Sequence, residues 1–364
     1  MKKILVLLNS SGAAITSRKE VLEAIKNSGY DVTISAPYDE YTEQIITSGF
    51  HYIKTEMDSR GSNPIRDFKL LLFYIRLIID ERPDLVLTYT IKPNVYGGIA
   101  SRICRRPQFA NITGLSDAIH KPGKMRTITT WLYRLGLRKT KIVFFQNVGD
   151  KDYCISNKIG NNKYILLPGS GVNLTEFYFS KYLTEGSTKF LFIGRLKKDK
   201  GIEEFLEMIQ VIKKRHPEVE FHILGDYNQN YAELVEQLIA NKTLLYHGKT
   251  KDVRPFILNC HCLILPSYHE GMSNVLLESC AMGRPIITTN VHGCMEAVDN
   301  GINGYCVNVR DSKSLIDGVE RFVNLPYPEK VNMGLKARLK VEKEFDRNII
   351  SNIYIDEIAN ILKA

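Results

Sequence analysis

Two glutamates, Glu270 and Glu278, bracket the stretch of this sequence most suited to chemistry: Pro266-Ser267-Tyr268-His269-Glu270-Gly271-Met272-Ser273-Asn274-Val275-Leu276-Leu277-Glu278. The apolar run before it, Cys262-Leu263-Ile264-Leu265, is short enough to be a buried strand. A helical pattern follows, with Val275, Leu276, Leu277 and Ala281 facing inward. The loop between them holds Gly271 and Ser273, which suit unusual backbone angles and N-capping. Amides at a helix start point outward and the helix dipole favours an anion there, so a diphosphate fits. Glu278 lies about one turn inside, on the face of Asn274, where its carboxylate reaches past a phosphate toward a sugar hydroxyl. Glu270 stands on the near side. Two carboxylates are poor phosphate ligands but good hydroxyl acceptors. The stretch therefore fits a sugar nucleotide, met by Glu270, Gly271, Met272, Ser273, Asn274 and Glu278.

A second fragment of the same kind lies upstream. The strand-like Lys189-Phe190-Leu191-Phe192-Ile193 runs into Gly194-Arg195-Leu196-Lys197-Lys198-Asp199-Lys200-Gly201, and a helical pattern follows through Ile202, Phe205, Leu206, Ile209 and Ile212. Breaking a sugar–diphosphate bond requires stabilising the charge that develops on the leaving phosphate. Arg195 and Lys200 are the candidate fixed cations, the arginine reaching two oxygens and the lysine one; Lys197 and Lys198 read as solvated. Together, Gly-Arg-Leu-x-x-x-Lys-Gly and Glu-x7-Glu closely resemble the family 4 glycosyltransferases of the GT-B fold, and the resemblance runs loosely over the whole chain.

That resemblance implies a retaining transfer from a nucleoside diphosphate sugar, UDP-linked, with Glu270, Arg195 and Lys200 as the catalytic set. It implies that Glu278 holds the ribose hydroxyls and that Glu270, with the loop amides, meets the donor sugar and phosphate. The nucleobase is expected near His247-Gly248-Lys249, which adds Lys249 to the donor residues. A carboxylate nucleophile is the simplest retaining route and Glu270 is the candidate; the resemblance suggests instead a front-face attack in which the acceptor hydroxyl gives its proton to the leaving diphosphate. The sequence departs from the family where many members carry a histidine after an N-terminal strand: it reads Ala110-Asn111-Ile112-Thr113-Gly114-Leu115. Thr113 can donate a hydrogen bond to a sugar hydroxyl but cannot titrate. His120 is the acceptor-side substitute, or an incidental loop histidine.

The elements that must position these residues alternate. Strands are expected at Lys3–Leu8, Val32–Ala36, Leu85–Thr88, Phe109–Thr113, Ile142–Phe145 and Tyr164–Leu167, with helical patterns near 17–28, 65–81, 94–104, 125–138 and 149–157. A second series follows Phe190, with strands near 219–224, 243–246, 262–265 and 285–288. Such alternation means βαβ units and doubly wound parallel sheets, with ligands beyond the carboxyl ends of the strands. That places Asn9-Ser10-Ser11-Gly12-Ala13 at a cleft, with Gly12 allowing backbone to approach a phosphate. The chain of 364 residues, 44% hydrophobic and 24% charged, is long enough for two cores. Pro168–Phe177 breaks the rhythm and reads as the connection. The expected α/β architecture is GT-B: an acceptor-binding domain over 1–172, a nucleotide-sugar domain over 173–345, and a helix over 346–364 that crosses back to the first.

The start, Met1-Lys2-Lys3-Ile4-Leu5-Val6-Leu7-Leu8-Asn9, imitates a signal peptide, but its apolar run is too short and a first strand is expected. The longest apolar stretch, Leu70 to Ile79, is broken by Arg76, and the seven scattered cysteines suit a reduced, cytoplasmic protein. Charge divides the chain. Residues 1–176 hold 25 basic and 16 acidic side chains, whereas 177–364 hold 24 of each. Within 102–141, ten basic residues accompany one acid, Asp117. There Met125, Ile128, Trp131, Leu132 and Leu135 share a helical face. Such a segment is either a core helix with a solvated polar side or one that lies on an anionic membrane surface. Nucleic acid has no recognised motif to support it. Asp150-Lys151-Asp152 matches a metal-binding pattern, yet it opens a helix in the other domain from the motif loops, so no metal or other cofactor is expected. The expected acceptor is a polyprenyl-diphosphate-linked saccharide at the inner membrane face. The competing readings are a cytosolic transferase making a soluble glycoside and a sugar-nucleotide-sensing module without catalysis.

Overall fold

A computed structural model describes residues 1–58, 63–115, 119, 123–160, 163–226 and 229–363. The chain forms two compact units, one of Met1–Gly171 with Arg347–Ala364 and one of Val172–Asp346. The first contains seven parallel strands: β1 Lys3–Leu7, β2 Asp31–Ala36, β3 His51–Lys54, β4 Leu85–Tyr89, β5 Gln108–Ile112, β6 Ile142–Phe145 and β7 Lys163–Leu166, in the order β3-β2-β1-β4-β5-β6-β7. The second has six: β8 Lys189–Ile193, β9 Glu220–Leu224, β10 Leu245–Tyr246, β11 Cys262–Leu265, β12 Ile286–Thr289 and β13 Gly304–Val307, in the order β10-β9-β8-β11-β12-β13. Both orders reverse direction once, which creates the switch point where doubly wound sheets bind ligands.

Central strands are apolar on both faces because helices cover both: β1, β4, β5 and β6 are buried almost throughout. In unit 1 the helices are α1 Ser11–Thr16, α2 Lys19–Asn27, α3 Thr42–Thr47, α4 Pro64–Glu81, α5 Gly98–Ile103, α6 Lys124–Gly136 and α7 Val148–Ser156. Sequence and local structure agree most clearly in α4, where Pro64 takes the first helical position. The Asn63 side chain accepts from the amides of Ile65 and Arg66 at 3.0 and 3.2 Å. The helical pattern near 94–104 divides into a π-helical turn, Pro93–Gly97, followed by α5.

Unit 2 adds α8 Ile202–Arg215, α9 Gln229–Ala240, α10 Arg254–Leu258, α11 Asn274–Ala281, α12 Ser312–Val323 and α13 Tyr327–Glu344. The last helix, α14 Arg347–Lys363, belongs to unit 1 and packs on α2. Its Ile350, Tyr354 and Ile358 join the core formed by β1, β2 and β4. Tyr354 also donates to the Asn111 side chain, and Arg347 pairs with Glu20 at 2.5 Å.

The apolar face expected of the tryptophan helix is only partly inside, with Leu132 and Leu135 half-buried. α6 buries Thr129, Thr130, Tyr133 and Gly136, while Met125, Ile128 and Trp131 are 53, 50 and 58% exposed. A Cβ on Gly98 would meet the Gly136 carbonyl at 2.3 Å, and one on Gly136 would meet Val95 Cα at 2.6 Å. A glycine is required at that one contact, while Tyr133 fills the space beside it.

Candidate active site

Strands β8 and β11 are neighbours and parallel, so the loops leaving their carboxyl ends lie side by side. Backbone joins them: the Tyr268 amide donates to the Asp199 carbonyl at 2.9 Å. Gly201 sits in the left-handed region, at φ +68°, with a Cβ position only 2.0 Å from the Pro266 carbonyl oxygen. No other residue fits there. The two motifs, distant in sequence, thereby become one surface.

On that surface Lys200 Nζ lies 2.5 Å from Glu270 Oε1, both side chains mostly buried. Ser267, fully buried, donates its hydroxyl to the same carboxylate oxygen at 2.8 Å, and its own carbonyl accepts from the Thr289 hydroxyl. A second strand end supports the loop from behind. The Ser273 amide donates to the Gly293 carbonyl at 2.9 Å, and a Cβ on Gly293 would stand 2.4 Å from the Glu270 carbonyl. Tyr268 donates to Glu204 at 2.7 Å beneath the Arg310 guanidinium, 4.7 Å from the ring centroid.

Helix α11 begins in this surface. Ser273 holds the N-cap position, but its hydroxyl makes no capping bond, contrary to the role its residue type suggests. Among the described residues Asn274 Oδ1 is buried without a hydrogen-bond partner. A buried polar atom of that kind at a helix start calls for a ligand group or water. Gly271, Asn274 and Glu278 are half-buried, and Met272 is buried beside them. Arg195 is exposed on the β8 loop and makes no ion pair among the described residues. Lys249 is also exposed, 4.0 Å from the Asp226 carboxylate. Its neighbour His247 stacks on His222, with ring centroids 5.2 Å apart. Lys200, Arg195 and the amides at the start of α11 can meet a diphosphate, while the two carboxylates and the Asn274 amide oxygen can accept from hydroxyls.

The remaining candidates lie in unit 1. The Gly12 amide is already taken by the Asp39 carboxylate at 3.0 Å, which also accepts from Ser10 at 3.1 Å. A phosphate at that amide would have to displace a like charge. Thr113 is half-buried just past β5; His120, like Asp117, lies outside the described residues. Asp150 is buried and accepts from the Leu115 amide and the Asn147 side chain, both at 3.1 Å, so it caps and closes the β5 loop. Among the described residues no group of three metal-binding side chains occurs. Unit 1 also holds a cavity of about 450 Å³ lined by residues including Arg66, Asp67, Lys69 and Lys92. There Asp67 accepts from Lys92 at 2.7 Å and from Tyr96 at 3.0 Å. Sequence reasoning missed Ser267, Tyr268 and Gly293, whose roles arise from contacts between distant segments.

Comparison with known proteins gives the fold and the family. Residues 3–147 match the family described as glycosyl transferase 4-like, and 175–340 match glycosyl transferases group 1. A relative from Campylobacter jejuni, N,N'-diacetylbacillosaminyl-diphospho-undecaprenol alpha-1,3-N-acetylgalactosaminyltransferase, is 24% identical over 98% of both chains. The Escherichia coli UDP-Gal:alpha-D-GlcNAc-diphosphoundecaprenol alpha-1,3-galactosyltransferase is 24% identical, covering 96% of this chain and 95% of its own. In fold, a glycosyltransferase from Rickettsia africae superposes with a TM-score of 0.80 at 18% identity, over 100% of this chain and 99% of that one. The chain is a glycosyltransferase of the GT-B fold, its first half belonging to the glycosyl transferase 4-like family and its second to group 1.

Proposed function

We infer that this glycosyltransferase moves a hexose or N-acetylhexosamine, with retention, from a UDP-linked donor to a polyprenyl-diphosphate-linked saccharide at the inner membrane face. The observation that carries the donor half is the Lys200–Glu270 pair beside the start of α11, with Glu278 about one turn further in. Lys200 and Arg195 would neutralise the leaving diphosphate, Glu270 would orient the donor sugar, and Glu278 would hold the ribose hydroxyls. Lys249 would stand near the nucleobase.

In the front-face course the sugar C1–O bond to the diphosphate breaks as the bond from C1 to the acceptor oxygen forms. The acceptor proton passes to a diphosphate oxygen, so no side chain in unit 1 need titrate, and Thr113 serves as an acceptor-side hydrogen-bonding group. The relatives' names, with their diphospho-undecaprenol acceptors and a UDP donor, support the substrate classes. The cavity at the first turn of α4, lined by charged and apolar side chains together, supports a saccharide site, with its carboxylate and ammonium groups able to meet hydroxyls.

No divalent metal is required in this reading, since Lys200 and Arg195 supply fixed charge and Asp150 is committed to the β5 loop. The test is transfer of labelled sugar from a panel of nucleotide sugars to a synthetic polyprenyl-diphosphate saccharide, with and without EDTA. Proton NMR then gives the product's anomeric configuration. Inversion would exclude the front-face course, and rescue of an EDTA-dead enzyme by Mg²⁺ would exclude metal independence. Donor binding without transfer or hydrolysis would favour the sensing module.

A further inference from the structure

Among the described residues, six other than glycine adopt a left-handed backbone, and five of them are arginines or lysines: Arg82, Arg105, Lys158, Lys242 and Arg310. The first four follow the last turn of a helix, where such a residue closes the turn. The sixth, Thr90, differs on each count. It is β-branched, sits at φ +68°, and opens a helix instead of ending one. Its carbonyl accepts from the Asn94 amide at 3.0 Å, at the start of the π-helical turn Pro93–Gly97. At the same φ the residue that opens α8 is Gly201, which has no Cβ to strain. A branched side chain in this region is a strained outlier. The hydroxyl adds a second cost: Thr90 as a whole is half-buried, but its Oγ1 is buried and lacks a hydrogen-bond partner among the described residues. Costs of this kind persist where the surroundings hold a residue in place, and they gather at binding sites.

The place of Thr90 in the sheet indicates its ligand. β4 lies between β1 and β5, and the chain leaves β1 toward β2 but β4 toward β5, so the crevice of this sheet opens beside the end of β4. Tyr89 stands across from Asn111 in the register, so Thr90 leaves the sheet next to the loop that carries Thr113. Lys92, two residues on, lines the cavity at the first turn of α4 and is engaged there by Asp67 at 2.7 Å. We propose that Thr90 binds the acceptor, its hydroxyl meeting a hydroxyl of the saccharide in the crevice beyond β4, and so helps select the acceptor sugar. The inference rests on the lipid-linked acceptor reading and adds to it a residue and a direction of contact. A rotation of about 120° about the Cα–Cβ bond exchanges hydroxyl and methyl and carries Oγ1 from its unpaired inward position to the crevice. The hydrogen bond made there is one the hydroxyl otherwise lacks, so acceptor binding gains both the contact and the release of an unsatisfied group. A neutral hydroxyl beside a cation that is already paired reads sugar hydroxyls rather than charge.

The full chain is assayed for transfer of labelled sugar, from a panel of nucleotide sugars, to N-acetylglucosamine and N-acetylgalactosamine linked through diphosphate to farnesol. Tm is read with and without UDP. Thr90→Val keeps the branched shape and the strained backbone and removes only the hydroxyl. It should raise the acceptor KM by about 3- to 10-fold and leave the Tm gain with UDP at the wild-type value. Thr90→Ser, which keeps the hydroxyl, should retain the wild-type KM. Thr90→Gly should raise Tm by a few degrees as the strain is relieved, while its acceptor KM rises as in Thr90→Val. A threonine with a structural role alone would not separate stability from acceptor KM in this way. An unchanged acceptor KM in Thr90→Val, a KM raised equally in Thr90→Ser, or a lower Tm in Thr90→Gly would overturn the proposal. A wild-type chain that transfers to neither probe overturns the acceptor reading and this role with it. A wild-type chain that transfers, matched by Thr90→Val, sinks the assignment of Thr90 alone.

Discussion

Arg195 is exposed and Glu278 half-buried, so truncating either removes ligand contacts rather than core. Arg195→Ala and Glu278→Ala are each expected to lower kcat/KM by about 10- to 100-fold, the ~1.5–3 kcal/mol of a charge-assisted contact. Tm should stay unchanged. Steady-state kinetics on purified protein check this, and wild-type constants for Arg195→Ala would remove it from the leaving-group role. What the sequence made legible was their placement, because their motifs are local: Arg195 follows β8 in a glycine-flanked loop, and Glu278 lies about one turn inside α11. The role of Ser267 was not legible. A serine ahead of a loop carries no mark of the buried hydroxyl it sends to Glu270, or of the Thr289 hydroxyl that holds its carbonyl. Gly12 shows the reverse error. Its small neighbours suggested open backbone, but Asp39, folded back from the end of β2, already occupies the amide.

At the scale of the element, the two motif loops work as a pair only while Gly201 lies against Pro266. Gly201→Ala adds a Cβ 2.0 Å from the Pro266 oxygen at a left-handed φ. The backbone conformation alone costs about 1–2 kcal/mol, and the clash must part the loops. Turnover is expected to fall by more than the stability loss explains, since Lys200 and Glu270 move apart. An alanine variant with lowered Tm but intact kcat would show that the loop contact does not set the site. A second element-level prediction concerns pH. His222 Nδ1 and His247 Nε2 lie 2.8 Å apart. Burial, then the neighbouring imidazole, lowers the pKa of His222; burial lowers those of His247 and His261, whereas Glu220 beside His222 opposes the shift. In the unfolded chain these groups protonate near pH ~6.5. As pH falls below that value the unfolded state takes up protons that the folded state refuses, so stability declines. The depressed carboxyls of Asp84, Asp252 and Asp311 act only lower, below about pH 4. Tm should therefore drop between about pH 7 and about pH 5, and His222→Gln should flatten the slope; an unchanged slope in the variant would assign it elsewhere. β3 and β13 escaped the sequence reading, and both are edge strands of four residues: β3 is partly exposed and bounded by His51 and Lys54, and β13, though mostly buried, opens on Gly304.

For the whole molecule, the chain passes between units at Gly171–Val172 and again at Asp346–Arg347. The units are therefore unequal in their dependence on the ends. Unit 2 is one continuous segment with a core of its own, running through β8, β9, β11 and β12 into α8, α11 and α13. It also holds Arg195, Lys200, Lys249, Glu270 and Glu278. Unit 1 is discontinuous, and α14 supplies Ile350, Tyr354 and Ile358 to its core. Burying three such side chains contributes about 5 kcal/mol or more, a large share of the ~5–15 kcal/mol that holds a domain folded. Arg347 reinforces the join through Glu20 and the Gly171 carbonyl, and Lys163 pairs with Glu357 at 2.5 Å. The amphipathic pattern of 345–362 made this helix visible in the sequence, but only its contacts with α2 show where it docks. Residues 172–346 alone are expected to unfold cooperatively and to gain Tm with UDP. Residues 1–171 alone should lack a cooperative transition and recover one when a peptide of 347–363 is added. Circular dichroism melts of the three samples decide the matter: a stable 1–171 fragment would make α14 an accessory, and a 172–346 fragment that folds without responding to UDP would move part of the donor site out of unit 2.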